Sequence, residues 1–145
     1  MKKAIKFYSV NDAYGEFSNF ALFPIKIGGK YWPTSEHYFQ AMKFESKKDQ
    51  KLVRCSNNPF EAARIGRSRK KKIKKNWDYI KNNVMKEALL CKFTQHDDLK
   101  QLLITTEDSI LIEHTDSDNY WGDGGNGKGK NMLGKLLMEV REKIK

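Results

Sequence analysis

The chain has 145 residues, of which 39% are apolar and 32% charged, and its formal net charge at pH 7 is +10. This length suits one domain, residues 1–145, with a real hydrophobic core, and the composition excludes a disordered chain. No run is apolar enough to cross a membrane and no signal peptide is evident, so we expect a cytoplasmic protein. The positive charge favours a polyanionic partner or a phosphate-bearing substrate, although a lysine-rich composition alone produces the same excess.

The cysteines and histidines do not form a recognisable metal or nucleophile motif. Cys55 and Cys91 lack metal-ligand spacing and a secretory context, which predicts free thiols in a reducing compartment. His37, His96 and His114 are scattered and have no cysteine at ligand spacing, so we do not expect zinc. No serine or cysteine lies in a known nucleophile motif, which makes a triad hydrolase improbable. We expect neither a metal nor a redox cofactor.

The first third of the chain is rich in β-prone segments. AIKFYS, residues 4–9, predicts a short strand. The runs on either side of Gly28 and Gly29 predict a hairpin, because two glycines suit a tight turn. Thr34 or Ser35 is placed to cap the helix that follows.

The rest of the chain is mainly helical. NNPFEAARIG predicts a helix that is capped by Asn58 and ends at Gly66. Apolar residues that recur every three or four positions predict a longer helix from Lys72 to about Phe93. The other predicted elements are a helix over 47–54, a helix capped by Asp97, a strand over 109–114, a polar loop over 115–130 and a C-terminal helix. Strands and helices do not alternate regularly, so the predicted fold is α+β, a compact and mostly helical domain with a small sheet and hairpin.

The loop WGDGGNGKGKN, residues 121–131, partly matches two nucleotide-binding patterns. Gly122, Gly124 and Gly127 have the dinucleotide-binding spacing, and Gly129 stands where a phosphate loop needs serine or threonine. Both patterns require an apolar strand upstream, whereas the upstream segment here is polar. Glycines before a helix can still present backbone N–H groups to an anion. The alternative is a flexible loop that only needs turn residues.

A second polar segment, RSRKKKIKKNW at 67–77, is strongly basic. Most such runs are solvated helix faces, which is the preferred interpretation here. The alternative is a contact with nucleic-acid phosphates, whose affinity would fall with salt.

PTSEHYFQAMKF, residues 33–44, predicts the start of a helix with two distinct faces. Glu36, Gln40 and Lys43 fall within an arc of about 60°, and Tyr38, Phe39 and Met42 occupy another. The polar stripe is either an ordinary surface, on which the helix dipole favours Glu36, or the wall of a pocket. The sequence slightly favours the surface. In a pocket, a lysine beside a carboxylate can attack a sugar carbon if it loses its proton.

Five segments occur together in a recognisable order: EFSNF at 16–20, PTSEHYFQAMKF at 33–44, ALLCKF, LIEH and WGDGGNGKGKNMLGKLLMEVR at 121–141. As a set they resemble the NADAR family, the YbiA-like N-glycosidases, over essentially the whole chain. The resemblance implies the YbiA-like α+β domain and cleavage of N-glycosidic bonds. The implied substrates are ADP-ribosylated guanine in nucleic acid, from which ADP-ribose is removed, or phosphorylated early intermediates of riboflavin biosynthesis.

The resemblance also implies which residues act. Glu36 and Lys43 are the expected catalytic pair. Lys43 would attack the anomeric carbon and form a Schiff base, with Glu36 orienting or deprotonating it. Alternatively, Glu36 would activate water in a direct hydrolysis while Lys43 stabilises charge. The expected substrate-binding residues are Ser18, Asn19, Phe20, Gln40, Arg64, Gly66, Arg67, Trp77, Trp121, Gly122, Asp123, Gly129 and Asn131.

Several of these residues have more than one possible role. Trp77 and Trp121 would stack on a base, although Trp77 has the spacing of a core residue. Arg64 and Arg67 would meet phosphate. Asp123 would bind a hydroxyl group or serve as a second carboxylate, and the loop before the last helix would hold diphosphate, shaped by Gly129 and Asn131.

Among the substrates we favour ADP-ribosylated guanine in DNA, because a lone domain with a basic surface suits modified DNA. The second candidate is the phosphorylated riboflavin intermediate. The third is a non-catalytic module that binds ADP-ribose or nucleic acid, which has less need of the pair Glu36 and Lys43. We expect no membrane partner.

Overall fold

A computed structural model describes residues 2–145 of the chain. Its elements are β1 (Ala4–Phe7), a 3-10 helix (Gly15–Phe17), β2 (Ile25–Ile27), β3 (Lys30–Trp32), α1 (Ser35–Met42), α2 (Lys47–Arg54), α3 (Pro59–Gly66), α4 (Trp77–Gln95), α5 (Asp97–Thr105), β4 (Ile110–Glu113) and α6 (Met132–Ile144). Six α-helices and four short strands among the described residues confirm the predicted α+β class. No helix in residues 2–145 combines the length and apolarity that a membrane span requires.

The residues group into two compact units. The terminal unit comprises residues 2–21 and Phe93–Lys145, and the central unit comprises Leu22–Lys92. The two are described separately below. The prediction that residues 1–145 form one domain stays a prediction.

The terminal unit is built on a parallel pair of strands, in which Ile5 of β1 lies opposite Leu111 of β4. Helix α6 packs closely on β4, since a Cβ at Gly134 would lie only 2.0 Å from the Leu111 carbonyl oxygen. The predicted C-terminal helix is present, and its apolar face is buried: Leu133, Leu136, Leu137, Val140 and Ile144.

The central unit contains the predicted hairpin. Its strands β2 and β3 pair antiparallel, and Gly28 and Gly29 have φ of 63° and 76°, as a tight hairpin turn between right-twisted strands requires. Helix α1 packs against α2 and α3. The core of this unit consists of Ile25, Trp32, Tyr38, Ala41, Phe44, Val53, Ala62 and Ala88.

Side-chain caps set the start of two helices as predicted. The Thr34 hydroxyl accepts a hydrogen bond from the backbone N–H of His37, and the side-chain Oδ1 of Asn58 accepts one from the backbone N–H of Glu61. The prediction for the helix at 97–105 is wrong by one position, because Asp97 is the first helical residue and not the cap.

The predicted start of the long helix at Lys72 is also wrong. Helix α4 begins at Trp77, and in the preceding segment Ile73 forms an antiparallel bridge with Phe44. The backbone N–H of Lys74 donates to the Lys43 carbonyl oxygen at 2.9 Å, just beyond the end of α1. A tertiary backbone contact therefore overrides the helical pattern at these positions.

Candidate active site

The first turn of α1 holds Glu36 in a buried position. Its residue surface is only 8% exposed, and its Oε2 accepts a hydrogen bond of 2.8 Å from Gln40 Nε2 one helical turn later. The cap at Thr34 fixes this turn, because its hydroxyl contacts both the backbone N–H and the ring of His37. An ordinary exposed surface is thus excluded for Glu36. Its carboxylate is oriented by a neighbouring amide.

Gly66, the last residue of α3, provides the space that Gln40 occupies. A Cβ at Gly66 would lie 1.9 Å from Gln40 Oε1 and 3.2 Å from Gln40 Cβ. The same Oε1 is buried and has no hydrogen-bond partner among residues 2–145. Any side chain at Gly66 would therefore displace the amide that holds Glu36.

Lys43 follows α1 directly and turns its amine toward the same glycine. Its Nζ donates a hydrogen bond of 2.8 Å to the Gly66 carbonyl oxygen, and the residue is half-buried. Gly66 thus contacts the surroundings of both members of the predicted catalytic pair. Its carbonyl oxygen positions the amine of Lys43, and its lack of a side chain leaves room for Gln40, which donates a hydrogen bond to Glu36.

The surroundings of Lys43 favour its neutral form. Burial is the largest cause that lowers the pKa of Lys43, and the positive charges of Arg69 and Arg67 lower it further. The carboxylates of Glu36 and Asp78 act in the opposite direction, and the net result is a pKa below the usual value for lysine. The unprotonated form of this amine, which is the nucleophilic one, is therefore easier to reach than in an ordinary exposed lysine.

The structure separates the other predicted residues of the central unit by environment. Arg64 is exposed and bound to Glu61 at 2.7 Å, so its charge is already partly compensated. Trp77 is buried, and its ring lies 5.1 Å from that of Phe39. This burial favours the packing role for Trp77 over stacking on a base. Arg67 is exposed and acts on Lys43 through its charge.

In the terminal unit, Asp123 is bonded to its own loop. Its Oδ1 accepts from the backbone N–H groups of Thr115 and Gly125, and its Oδ2 lies 2.8 Å from His114 Nδ1. Burial by itself would raise the pKa of Asp123, but these hydrogen bonds outweigh it and hold the pKa below its usual range. A carboxylate committed in this way organises the loop, which argues against the predicted role as a second catalytic carboxylate.

Asn131 and Gly129 also shape this loop. The Asn131 side chain accepts from the Glu113 backbone N–H and donates to the Leu111 carbonyl oxygen, both at 2.9 Å, so that its amide continues the edge of β4. A Cβ at Gly129 would lie 2.6 Å from the Gly122 carbonyl oxygen, which leaves room only for glycine.

The backbone amides at the start of α6 are already hydrogen-bonded within the protein, whereas diphosphate binding by the loop before this helix stays a prediction. The N–H groups of Met132 and Leu133 donate to the carbonyl oxygens of Tyr120 and Trp121 at 2.9 and 3.0 Å. The amide of Gly129 is likewise used within the loop. These donors are occupied, and they hold a tight crossing of the backbone. Trp121 packs edge-on against Tyr120 and is partly exposed.

The early motif forms a buried turn after the 3-10 helix of the terminal unit. Ser18 and Asn19 are 7% and 8% exposed, and Ser18 Oγ accepts a hydrogen bond from the Phe20 backbone N–H. Substrate binding by these three residues stays a prediction.

Sequence reasoning missed three residues. In the sequence His114 is an isolated histidine, and nothing in its spacing indicates the pairing with Asp123. Arg69 lies in a basic run whose pattern is typical of a solvated face, and Asp78 belongs to no motif. The feature of the sequence that could have indicated Arg69 is the pair of arginines on either side of Gly66, since the basic run continues from them.

Comparisons with known proteins agree with the resemblance in the motifs. The NADAR domain family profile matches residues 6–145. The chain is 56% identical over 140 residues to N-glycosidase YbiA of Escherichia coli (strain K12), which covers 97% of this chain and 88% of that protein. It is 39% identical over 155 residues to riboflavin biosynthesis protein PYRR, chloroplastic, of Zea mays, covering 97% of this chain and 25% of that protein. The NMR structure of E. coli YbiA matches with a TM-score of 0.92 and 55% identity, over 99% of this chain and 86% of that one.

Proposed function

This chain belongs to the NADAR domain family, and we propose from that premise that it is an N-glycosidase acting on a ribosyl N-glycoside. The observation that carries the proposal is the state of Lys43: a half-buried amine with a lowered pKa, held by the Gly66 carbonyl beside a buried Glu36. A binding module has little use for a lysine whose pKa is lowered in this way. The names of the relatives support the same reaction class.

In the proposed reaction Lys43 is the nucleophile. Its neutral amine keeps one N–H on the Gly66 carbonyl oxygen and attacks the anomeric carbon with its lone pair. The bond from that carbon to the base breaks, the electron pair leaves with the base nitrogen, and the base takes up a proton. The sugar ring then opens to an imine on Lys43. Water hydrolyses this imine, which releases the sugar and regenerates the amine.

Glu36 is the proposed proton acceptor. Its carboxylate takes the proton that Lys43 loses on attack and passes it to the leaving base. The carboxylate is then free to activate the water that hydrolyses the imine. The hydrogen bond from Gln40 keeps the carboxylate in one orientation through both steps. In the simpler alternative no imine forms, and Glu36 activates water for direct attack on an oxocarbenium-like sugar while Lys43 stabilises charge.

The substrate we propose is guanine in nucleic acid that carries ADP-ribose. The net charge of +10 and the cluster of arginines near Lys43 suit a polyanionic substrate. A phosphorylated early intermediate of riboflavin biosynthesis is the second candidate. The observation that favours it is the name of the Zea mays relative, a riboflavin biosynthesis protein.

Release of the cleaved sugar tests the substrate, as free ADP-ribose from the DNA or as the sugar phosphate from the flavin intermediates. The protein is incubated with guanine-ADP-ribosylated DNA and, separately, with the phosphorylated pyrimidine intermediates of flavin synthesis. We expect release from the DNA. Release from the flavin intermediates alone would support the second candidate substrate. No release from either substrate would support the non-catalytic binding module.

Borohydride tests the mechanism on whichever substrate is cleaved. A borohydride-stable adduct on Lys43 is expected in the wild type and is absent from Lys43→Ala. Lys43→Arg is the matched control, because it keeps a positive charge at the site but forms no imine. An active wild type that yields no adduct would support direct hydrolysis.

A further inference from the structure

The segment of residues 67–73 is here called the basic loop, and the residues that flank it on both sides are hydrogen-bonded to Lys43. It leaves from Gly66, whose carbonyl accepts the Lys43 amine at 2.8 Å. It returns at Lys74, whose backbone N–H donates to the Lys43 carbonyl oxygen at 2.9 Å. The side chain and the main chain of one residue therefore anchor the two ends of the loop, which keeps its charges close to the amine.

Two lysines of the basic loop are already compensated by carboxylates. Lys71 lies 3.8 Å from Asp49 and Lys72 lies 3.2 Å from Glu45. These pairs tie the second half of the loop to the segment that follows α1. Their charges are in part satisfied within the protein.

The two arginines in the first half of the loop differ. Arg67 and Arg69 are exposed, and within residues 2–145 neither has an acidic ion-pair partner. Their positive charges nevertheless act on the amine of Lys43 and lower its pKa. Like charges gathered around one amine repel each other, and an arrangement of this kind is relieved when an anion binds.

We propose that Arg67 and Arg69 form the phosphate subsite of the substrate whose sugar Lys43 attacks. Arginine suits this task because its planar group donates two parallel hydrogen bonds to phosphate oxygens. The ligand is the 5′-phosphate of a ribose, whether that phosphate belongs to ADP-ribose or to a phosphorylated riboside. The inference rests on the proposed function for the identity of the sugar. It assigns Arg69, which the sequence motifs did not indicate, and it excludes Arg64.

The subsite also links phosphate binding to the charge of the amine. Burial, Arg69 and Arg67 lower the pKa of Lys43, whereas Glu36 and Asp78 raise it. Removal of the two arginines therefore raises the pKa of Lys43. The pH at which its amine becomes reactive then moves upward.

Reductive trapping of simple sugars tests the subsite without any glycosidic bond. The open-chain aldehyde of ribose or ribose 5-phosphate condenses with Lys43 Nζ, water is lost, and cyanoborohydride delivers hydride to the imine to give a stable secondary amine. We expect the wild type to trap ribose 5-phosphate at least about tenfold faster than ribose, a difference of about 1.4 kcal/mol. The double variant Arg67→Gln/Arg69→Gln should lose this preference, and its pH profile for trapping ribose should shift to higher pH.

Arg64→Gln is the matched control, since it removes an exposed arginine from the adjacent helix and should keep the preference. The inference is overturned if the wild type traps both sugars equally or traps neither on Lys43. It is also overturned if Arg64→Gln loses as much as the double variant. Cleavage of the two N-glycosides, ADP-ribosylated DNA and the phosphorylated riboside, is compared in wild type and double variant to identify which phosphate is used. Inertness in those arms with a retained sugar-phosphate preference would refute the proposed function and leave the subsite intact.

Discussion

Glu36 and Asp123 are both buried carboxylates, but their partners differ. Asp123 in the terminal unit accepts hydrogen bonds from two backbone N–H groups and from His114, all in its own loop. Glu36 in the central unit is held by the side-chain amide of Gln40, and its charge acts on the amine of Lys43. The comparison teaches that burial alone does not identify a catalytic carboxylate. The partners are the better guide: backbone donors fit a loop organiser, and an amine with a lowered pKa fits the catalytic role that we propose for Glu36.

The largest effect that tests this comparison is expected from substitution of Glu36. We expect Glu36→Gln to lower kcat about 10³-fold, because a positioned proton acceptor contributes about 10²–10⁴-fold. The substitution conserves shape, so the thermal midpoint should change little. Glu61→Gln, on the exposed surface beside Arg64, is the control and should keep full activity. Near-normal turnover in Glu36→Gln would remove the proton-transfer role.

The next largest effect is expected at Gly66. The methyl group of Gly66→Ala collides with the end of the Gln40 side chain, which can move only by releasing Glu36. A misplaced catalytic group should cost about 10–100-fold in kcat. Gln40→Ala should have a similar effect.

The double variant sharpens this test. If Gly66 acts through Gln40, then Gly66→Ala/Gln40→Ala should be no slower than either single variant, since the cycle is not additive when two residues share one role. Lys43 should still be trapped by borohydride in all three variants, because the Gly66 carbonyl remains. Additive losses in kcat would contradict the shared role.

Asp123→Ala should differ from Glu36→Gln, because we expect it to have a large effect on stability and a small effect on turnover. Loss of a charged acceptor that serves backbone N–H groups should lower the free energy of unfolding by about 3 kcal/mol. We expect kcat per folded molecule to stay within about threefold, checked by urea denaturation alongside activity. A selective loss of kcat in a stable variant would make Asp123 a second catalytic carboxylate after all.

The smallest expected effect is the pH dependence of that stability. The folded-state pKa of Asp123 is lowered, so its contribution is present above about pH 4, the usual pKa of aspartate, and is lost as pH falls through the lowered value. The difference in unfolding free energy between wild type and Asp123→Ala should therefore be smaller at pH 3 than at pH 7. An unchanged difference would mean that the charge of Asp123 adds nothing.

Much of the local structure could be predicted from short-range rules. Thr34 and Asn58 cap their helices through hydrogen bonds that span three residues, and the paired glycines at 28 and 29 form the hairpin turn. The start of α4 could not be predicted in this way. Its first predicted turn is lost because Lys74 bonds to the backbone of Lys43, a contact that no window of helical periodicity contains.

For the candidate site, the sequence by itself determined that Glu36, Gln40 and Lys43 share one side of a helix, because helical geometry depends only on spacing. Only the tertiary structure decided what these groups can do. The charge of Lys43 depends on burial and on arginines far along the chain, and Gly66 matters only because α3 brings it against Gln40. Proton affinity and close packing arise from the whole surroundings of a side chain, which local spacing does not encode.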